Sequence, residues 1–255
     1  MPKDLKKLTS KQIELSVIVP CFNEELNIEK VINTSCKFLR SKGLVFEIIV
    51  VNDGSQDSTK KNIENSLRNY PEIKLINHKK NMGLSSAFWT GATRASGLFT
   101  TVIPGDGEND IKYIVDHIAH MKHSEIVIPY VTNKKTRGRA RRIYSYIFLK
   151  IVNLFFNTSF KYTNGTNIYK TILLKKLNSK RKSFFFQTEI LIRAVKSGYK
   201  YHEVPIKLNS TSKKKSSAIS AKQLSLIMFD FFSTFWGCVV TRNDLIPHEI
   251  IKQKI

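Results

Sequence analysis

Residues 15–25, LSVIVPCFNEE, open with a run that shows no alternation of apolar and polar residues and then stop at a polar cluster. A strand covered on both faces, as in a parallel sheet, has this signature. Ile28, Val31, Ile32, Ser35 and Leu39 follow at helical spacing, with Asn23 placed as an N-cap. The pattern repeats. Phe46 to Val51 is a second strand, and Ser58 to Tyr70 is its helix, with Ile63, Leu67 and Tyr70 on one face. Ile73 to Asn77 is a third strand. Leu84 to Ala95 is a helix whose small residues, Ser85, Ser86, Ala87, Gly91 and Ala92, let it lie close to a sheet. Phe99 to Ile103, a helix over Ile111 to Met121, and Glu125 to Pro129 continue the alternation, which predicts an α/β fold around a mostly parallel sheet flanked by helices.

The second half is less regular. Thr132 to Arg142 is basic, Ile143 to Phe156 is an aromatic helix, Gln187 to Lys196 is another helix, and Tyr199 to Lys207 reads as a strand. Pro205 places that strand's end, or the whole of it, at an edge. Residues 210–220 are polar and Lys-rich and read as a loop. Leu224 to Val240 is apolar and aromatic, with Asp230 as its one charge. A spanning helix wants about 20 clean apolar residues, and a mid-helix aspartate costs about 2.5 to 3.5 kcal/mol on insertion, so an interfacial or packed helix is expected.

The chain has 255 residues, 42% hydrophobic and 24% charged, which fits a folded body of one large or two small domains and excludes extensive disorder. Lys and Arg number 42 against 20 Asp and Glu, a formal charge of +22, so an anionic partner is expected: nucleic acid, acidic lipid or a phosphorylated substrate. Cys21, Cys36 and Cys238 have no CxxC spacing, which argues against a disulfide scaffold or Cys-based zinc site and for a reducing compartment. Met1 to Glu14 is Lys-rich without the apolar core of a signal peptide, so a cytoplasmic location, on the membrane face, is expected.

Ligands of open parallel sheets bind beyond the carboxyl ends of the strands. Those ends carry Pro20-Cys21-Phe22-Asn23-Glu24, Asn52-Asp53-Gly54-Ser55-Gln56-Asp57, Asn77-His78 leading to Asn81-Met82-Gly83, and Pro104-Gly105-Asp106-Gly107-Glu108-Asn109-Asp110. Taken alone, Asp53-Gly54-Ser55 is an ordinary turn and Asp57 or Ser58 a helix cap. With VIVPCFNEE, IIVVNDGSQDST, NMGLSSAFWTGATRASG and IPGDGEND in this order, the chain resembles the family 2 glycosyltransferases of GT-A fold over Leu15 to about Asp110. FFFQTEILIRAVKSGYKYHEVPI extends the similarity toward the branch that makes dolichyl-phosphate and other polyprenyl-phosphate sugars.

The resemblance implies an inverting enzyme that takes a nucleoside-diphosphate sugar as donor. Glu24, Asn52 and Asp53 would meet the base and ribose, with Phe22 against the base and Pro20 and Gly83 lining the pocket. Asp106 would be the catalytic carboxylate and, with Glu108, would bind a divalent cation, Mg or Mn, that neutralises the leaving diphosphate. The family's usual carboxylate two positions earlier is Pro104 here, which leaves the number of protein ligands open. Arg139 and Arg142, with Lys214 and Lys215, would hold an acceptor phosphate. Glu189 stands at the family's acidic position near the acceptor. It would be a general base for a sugar hydroxyl, whereas a lipid phosphate, about −1.5 to −2 at pH 7, needs none.

The expected organisation is a basic segment 1–14, a catalytic domain 15–209 with a donor half 15–110 and an acceptor half 111–209, and a basic loop with an apolar, amphipathic helix over 210–255. Polyprenyl phosphate is favoured as acceptor over a glycan hydroxyl, and an anionic membrane surface as docking partner. Nucleic acid is disfavoured because no recognition module accompanies the charge. A catalytically inactive nucleotide-binding relative remains open because of Pro104.

Overall fold

The computed structural model describes residues 12–133, 139–177, 179, 181, 183–207 and 221–247. β1 (Leu15–Cys21) is paired in parallel with β2 (Phe46–Asn52) on one side and β4 (Phe99–Val102) on the other. β3 (Ile73–Asn77) extends β2 in parallel. β5 (Ile126–Val131), the short β6 (Ile168–Lys170) and β7 (Tyr201–Ile206) complete a seven-stranded sheet of order β3-β2-β1-β4-β6-β5-β7. Only β6, antiparallel to both β4 and β5, departs from the common direction among these strands.

Both faces are covered, which explains the unbroken apolar run. Val17 and Val19 of β1, with Ile48 and Val50 of β2, pack against Ile28, Ile32 and Leu39 of α1 (Ile28–Ser41) and Ile63 of α2 (Thr59–Leu67). Ile18, Ile49 and Val51, pointing the other way, pack with Phe88 and Ala92 of α3 (Leu84–Arg94). The small face of α3 serves the close approach expected of it: a Cβ on Gly91 would stand 2.5 Å from Ile18 Cγ2. Glu47 pins the opposite end of the sheet. Its buried carboxylate accepts the Ser16 hydroxyl at 2.6 Å and the Ser96 N–H at 2.7 Å, and pairs with Lys74 at 2.6 Å. Burial would raise its pKa, but Lys74, Ser16 and Ser96 together hold it below the usual carboxylate value.

Several local expectations are corrected. Asn23 does not cap α1, whose N-cap position is Asn27. Asn23 instead has φ 53° and turns its side chain to the Gln56 N–H, a tertiary bond that no local pattern encodes. The helix expected over Ile111 to Met121 is α4 (Lys112–Val115) followed by a 3₁₀ turn at Ile118–Lys122. Ile111 and Ile114, both buried, and the partly buried Ile118 with buried Met121 are three residues apart, a spacing that suits 3₁₀ turns as well as α. β6 and α6 (Thr171–Leu177) escape sequence reading because neither is long enough to show a period. Pro205 lies on the edge strand β7, in register with Tyr130, where a missing donor costs least.

The remaining helices are α5 (Arg139–Phe156), α7 (Phe186–Lys196) and α8 (Ala221–Phe235), the last continued by a π-helical turn at Trp236–Val240. Phe155 and Phe156 of α5 meet Phe231 and Phe235 of α8 edge-on, with centroids 5.3 to 5.9 Å apart. α8 is amphipathic in an inverted sense. Asp230 and Thr234 face inward, while Leu224, Met228, Phe229, Phe232 and Trp236 face out. On α5, Ile143, Tyr144, Ile147 and Leu154 are likewise exposed.

Candidate active site at the carboxyl edge of the sheet

The parallel strands deliver their carboxyl ends to one edge, and the backbone ladder runs past each of them. Asp53 N–H donates to the Cys21 carbonyl, His78 N–H to that of Asn52, and Gly105 N–H to that of Pro20, all at 2.9 to 3.0 Å. The loops after β1, β2, β3 and β4 therefore start side by side, which brings Pro20, Phe22, Glu24, Asn52, Asp53, Gly83 and Asp106 to the same edge.

The first two loops are stitched together reciprocally. Asn23 N–H donates to Ser55 Oγ at 3.0 Å and Asn23 Oδ1 accepts the Gln56 N–H at 2.9 Å. Glu24 N–H donates to Thr59 Oγ1 at 2.8 Å, and Glu25 accepts the Ser58 N–H at 2.9 Å. Asp57 caps α2 by accepting the Thr59 N–H at 3.0 Å. The expected cap at Asp57 or Ser58 is thus supplied by Asp57, and the same stretch is bonded to the loop after β1. Glu24 is half-buried and accepts an N–H of the Asn27 amide at 2.9 Å, while Phe22, just after β1, is 40% exposed.

Asn52 and Asp53 are buried. The Asn52 amide donates to Asn77 Oδ1 at 2.9 Å and its oxygen accepts the Ser55 N–H at 3.1 Å, so it braces β2 against β3. Asp53 reaches across to the third loop: Oδ1 accepts the Met82 N–H at 2.9 Å, and Oδ2 accepts the Gly83 N–H at 2.7 Å. Gly83 sits at φ 88°, ψ 160°, a conformation open to glycine, and opens α3. His78 Nδ1 lies 2.6 Å from Asp53 Oδ1. Sequence reading assigned no histidine a role; the one signal for His78 was its place directly after a strand.

Asp106 is half-buried and Glu108 exposed on the loop after β4. Asp106 Oδ1 accepts the Glu108 N–H at 2.9 Å, a short turn that presents both carboxylates from one loop. Among the described residues no three His, Cys, Asp or Glu side chains cluster as a metal cage. One or two carboxylates completed by substrate phosphate is the ordinary way Mg²⁺ is held, and the hard oxygens of Asp106 and Glu108 fit that arrangement.

Glu189 is 1% exposed and lies in a buried ion cluster. Its carboxylate accepts the Ser179 hydroxyl at 2.8 Å and pairs with Arg181 at 3.0 Å and Arg193 at 3.4 Å. Arg181 also pairs with Asp230 of α8 at 3.6 Å and with Asp244 at 3.4 Å. Burial pushes the Glu189 pKa up against the pull of the two arginines. Sequence reading missed Arg181 and Asp244, which no motif marks. Arg139 and Arg142 lie in the first turn of α5, with Arg142 exposed. Lys213, Lys214, Lys215, Ser216, Ser217 and Arg137 lie outside the described residues, as does most of the 1–14 segment.

A mostly parallel seven-stranded sheet flanked by helices, with polar loops gathered at its carboxyl edge, is an architecture of GT-A type. Residues 16–179 match the family described as Glycosyl transferase family 2, and the chain belongs to that family; it is a glycosyltransferase. Over 240 residues it is 26% identical to the dolichyl-phosphate beta-glucosyltransferase ALG5A of Trichomonas vaginalis, covering 86% of this chain and 74% of that one. It is 33% identical over 107 residues to the dolichyl-phosphate beta-glucosyltransferase of Dictyostelium discoideum, covering 39% of this chain and 33% of that one. In fold it is similar to glucosyl-3-phosphoglycerate synthase from Mycobacterium tuberculosis, solved with Mg²⁺ and uridine diphosphate, with TM-score 0.65 and 15% identity over 89% of this chain and 80% of that one.

Proposed function

We propose that the enzyme moves a sugar from a nucleoside-diphosphate sugar to a polyprenyl, dolichyl-type, phosphate at the cytoplasmic face of a membrane, and that the sugar is glucose carried on uridine diphosphate. The observation that carries this reading is the exposed apolar surface on α5 and α8, helices joined through Phe155 and Phe231, with α5 opening on Arg139 and Arg142. The names of the dolichyl-phosphate relatives support the acceptor and the sugar, and the uridine diphosphate in the M. tuberculosis synthase supports the base.

Phe22 and Glu24 face the base and ribose, on a floor that Asn52 and Asp53 hold in shape. A divalent cation, Mg²⁺ or Mn²⁺, when held by Asp106 and Glu108, supplies charge neutralisation of the departing diphosphate. Arg139 and Arg142 orient the acceptor phosphate; cations at a helix N-terminus are disfavoured by the helix dipole, and a bound phosphate relieves both charges. The acceptor oxygen attacks the anomeric carbon as the bond to the diphosphate oxygen breaks on the opposite face, inverting the centre. An ionised phosphate needs no general base. The burial of Glu189 among Ser179, Arg181 and Arg193 supports a positioning role for it rather than proton abstraction.

The test is transfer from UDP- and GDP-sugars to dolichyl phosphate or to a soluble glycan, with Mg²⁺, Mn²⁺ or EDTA. UDP-glucose should give a lipid-linked, chloroform-soluble product that EDTA abolishes. Product on the glycan alone would overturn the acceptor, and full activity in EDTA the metal.

A further inference from the structure

His78 follows β3 by one residue, and its imidazole bridges two elements of the edge described above. Nδ1 stands 2.6 Å from Asp53 Oδ1, and Nε2 stands 2.9 Å from the Thr90 hydroxyl on α3. The side chain is 9% exposed and that of Asp53 is 5% exposed, so the contact is shielded from water. Asp53 in turn takes the Met82 and Gly83 N–H groups on its two oxygens. A buried carboxylate needs a donor on each side to keep one rotamer. Nδ1–H adds a third donor, sharing Oδ1 with the Met82 N–H and approaching from the α3 side.

The Thr90 hydroxyl keeps this arrangement in either protonation state of the ring. It donates to Nε2 of the neutral imidazole and accepts from Nε2–H of the imidazolium. In both, Nδ1–H still points at Asp53.

We infer that His78, backed by Thr90, is a positioning residue for the donor: it locks Asp53, and through Asp53 the Met82–Gly83 backbone at the carboxyl edge of the sheet. The inference rests on the reading of this edge as the donor site. His78 touches no reacting atom, so its loss should weaken donor binding and leave turnover of bound donor close to unchanged.

The experiment compares wild type, His78→Leu, His78→Asn and Thr90→Val by calorimetric titration with uridine diphosphate and by steady-state kinetics, with thermal unfolding of each. Asn keeps an N–H near the position of Nδ1–H but cannot reach Thr90. His78→Leu should raise the uridine diphosphate Kd and the donor KM about tenfold with kcat within about twofold, and His78→Asn should recover most of the loss. Thr90→Val should raise both constants about threefold, and carries the test alone if His78→Leu does not fold. Unchanged donor affinity in His78→Leu and Thr90→Val, or equal loss in His78→Leu and His78→Asn, overturns the inference while the donor site stands. A wild-type protein that binds neither uridine nor guanosine diphosphate overturns the donor-site reading, and this inference with it.

Discussion

Asp53 and Asp106 are carboxylates after β2 and β4, the two strands that flank β1, yet their surroundings differ in kind. Asp53 is buried and its oxygens are taken by Met82, Gly83 and His78, so it ties the loop before α3 to the end of β2. Asp53→Ala strands two loop amides and should raise the donor KM by about tenfold or more while kcat changes less, the pattern of lost uniform binding. Steady-state kinetics with varied donor check this, and an unchanged KM with a collapsed kcat would contradict it. Asp106 is half-buried on a loop that packs little. Asp106→Ala should therefore keep its circular dichroism and melting temperature but lose turnover by about a hundredfold or more, as measured under saturating donor and metal.

Among the elements, the sheet and the last helices depend on buried charge in different ways. Glu47 joins β1 and β2 to the turn before β4 through Ser16 and Ser96, with Lys74 of β3 capping the pair from its exposed side. Because Lys74 remains solvated after the carboxylate is lost, Glu47→Gln should cost about 1 to 3 kcal/mol and no more. The folded pKa of Glu47 is depressed, so its stabilisation is present above the unfolded value of about 4.3 and is lost as pH falls below it. Urea unfolding of wild type and variant should differ at pH 7 and converge as pH falls through the depressed folded pKa. α7 and α8 are held by the Arg181 cluster, where Asp230 compensates a buried guanidinium. Glu189→Gln should lower stability by about 1 to 3 kcal/mol and spare the rate of transfer to lipid phosphate at saturating substrates; abolished transfer with donor binding intact would make Glu189 part of the chemistry.

At the scale of the whole molecule, charge and apolar surface act together. A net charge of +22 accompanies exposed Tyr144, Leu154, Phe229 and Trp236 on the paired helices α5 and α8. An apolar face of this extent is expected to be covered, and an anionic bilayer matches both its greasiness and the chain's charge. Gln223–Val240 is long and apolar enough to cross a membrane, but 28% of it packs into the protein and Asp230 lies on that inner side, which supports lying in the interface. Each basic residue at the surface adds about 1 kcal/mol, screened by salt, whereas the Phe and Leu contribution is salt-insensitive. Co-sedimentation with phosphatidylserine vesicles should fall as salt rises without vanishing, and Phe229→Ser with Trp236→Ser should remove the residue that persists. Indifference to such vesicles at low salt would rule the docking out.

The sequence by itself determined the α/β class, the strands β1 to β5 and the loops that reach the carboxyl edge, because buried parallel strands leave unbroken apolar runs and the residues after them are polar for a reason other than packing. The close seat of α3 was also legible, since Gly91 and its small neighbours admit Ile18. Tertiary structure alone decided what those polar residues touch. Asn23 reads as a cap and bonds to the next loop; His78 carries no motif and closes on Asp53; Asp230 reads as a flaw in an apolar helix and answers Arg181. Periodicity reports which face of an element is buried, but a hydrogen-bond or ion partner lies tens of residues away in the chain, and its distance is set by how the layers pack.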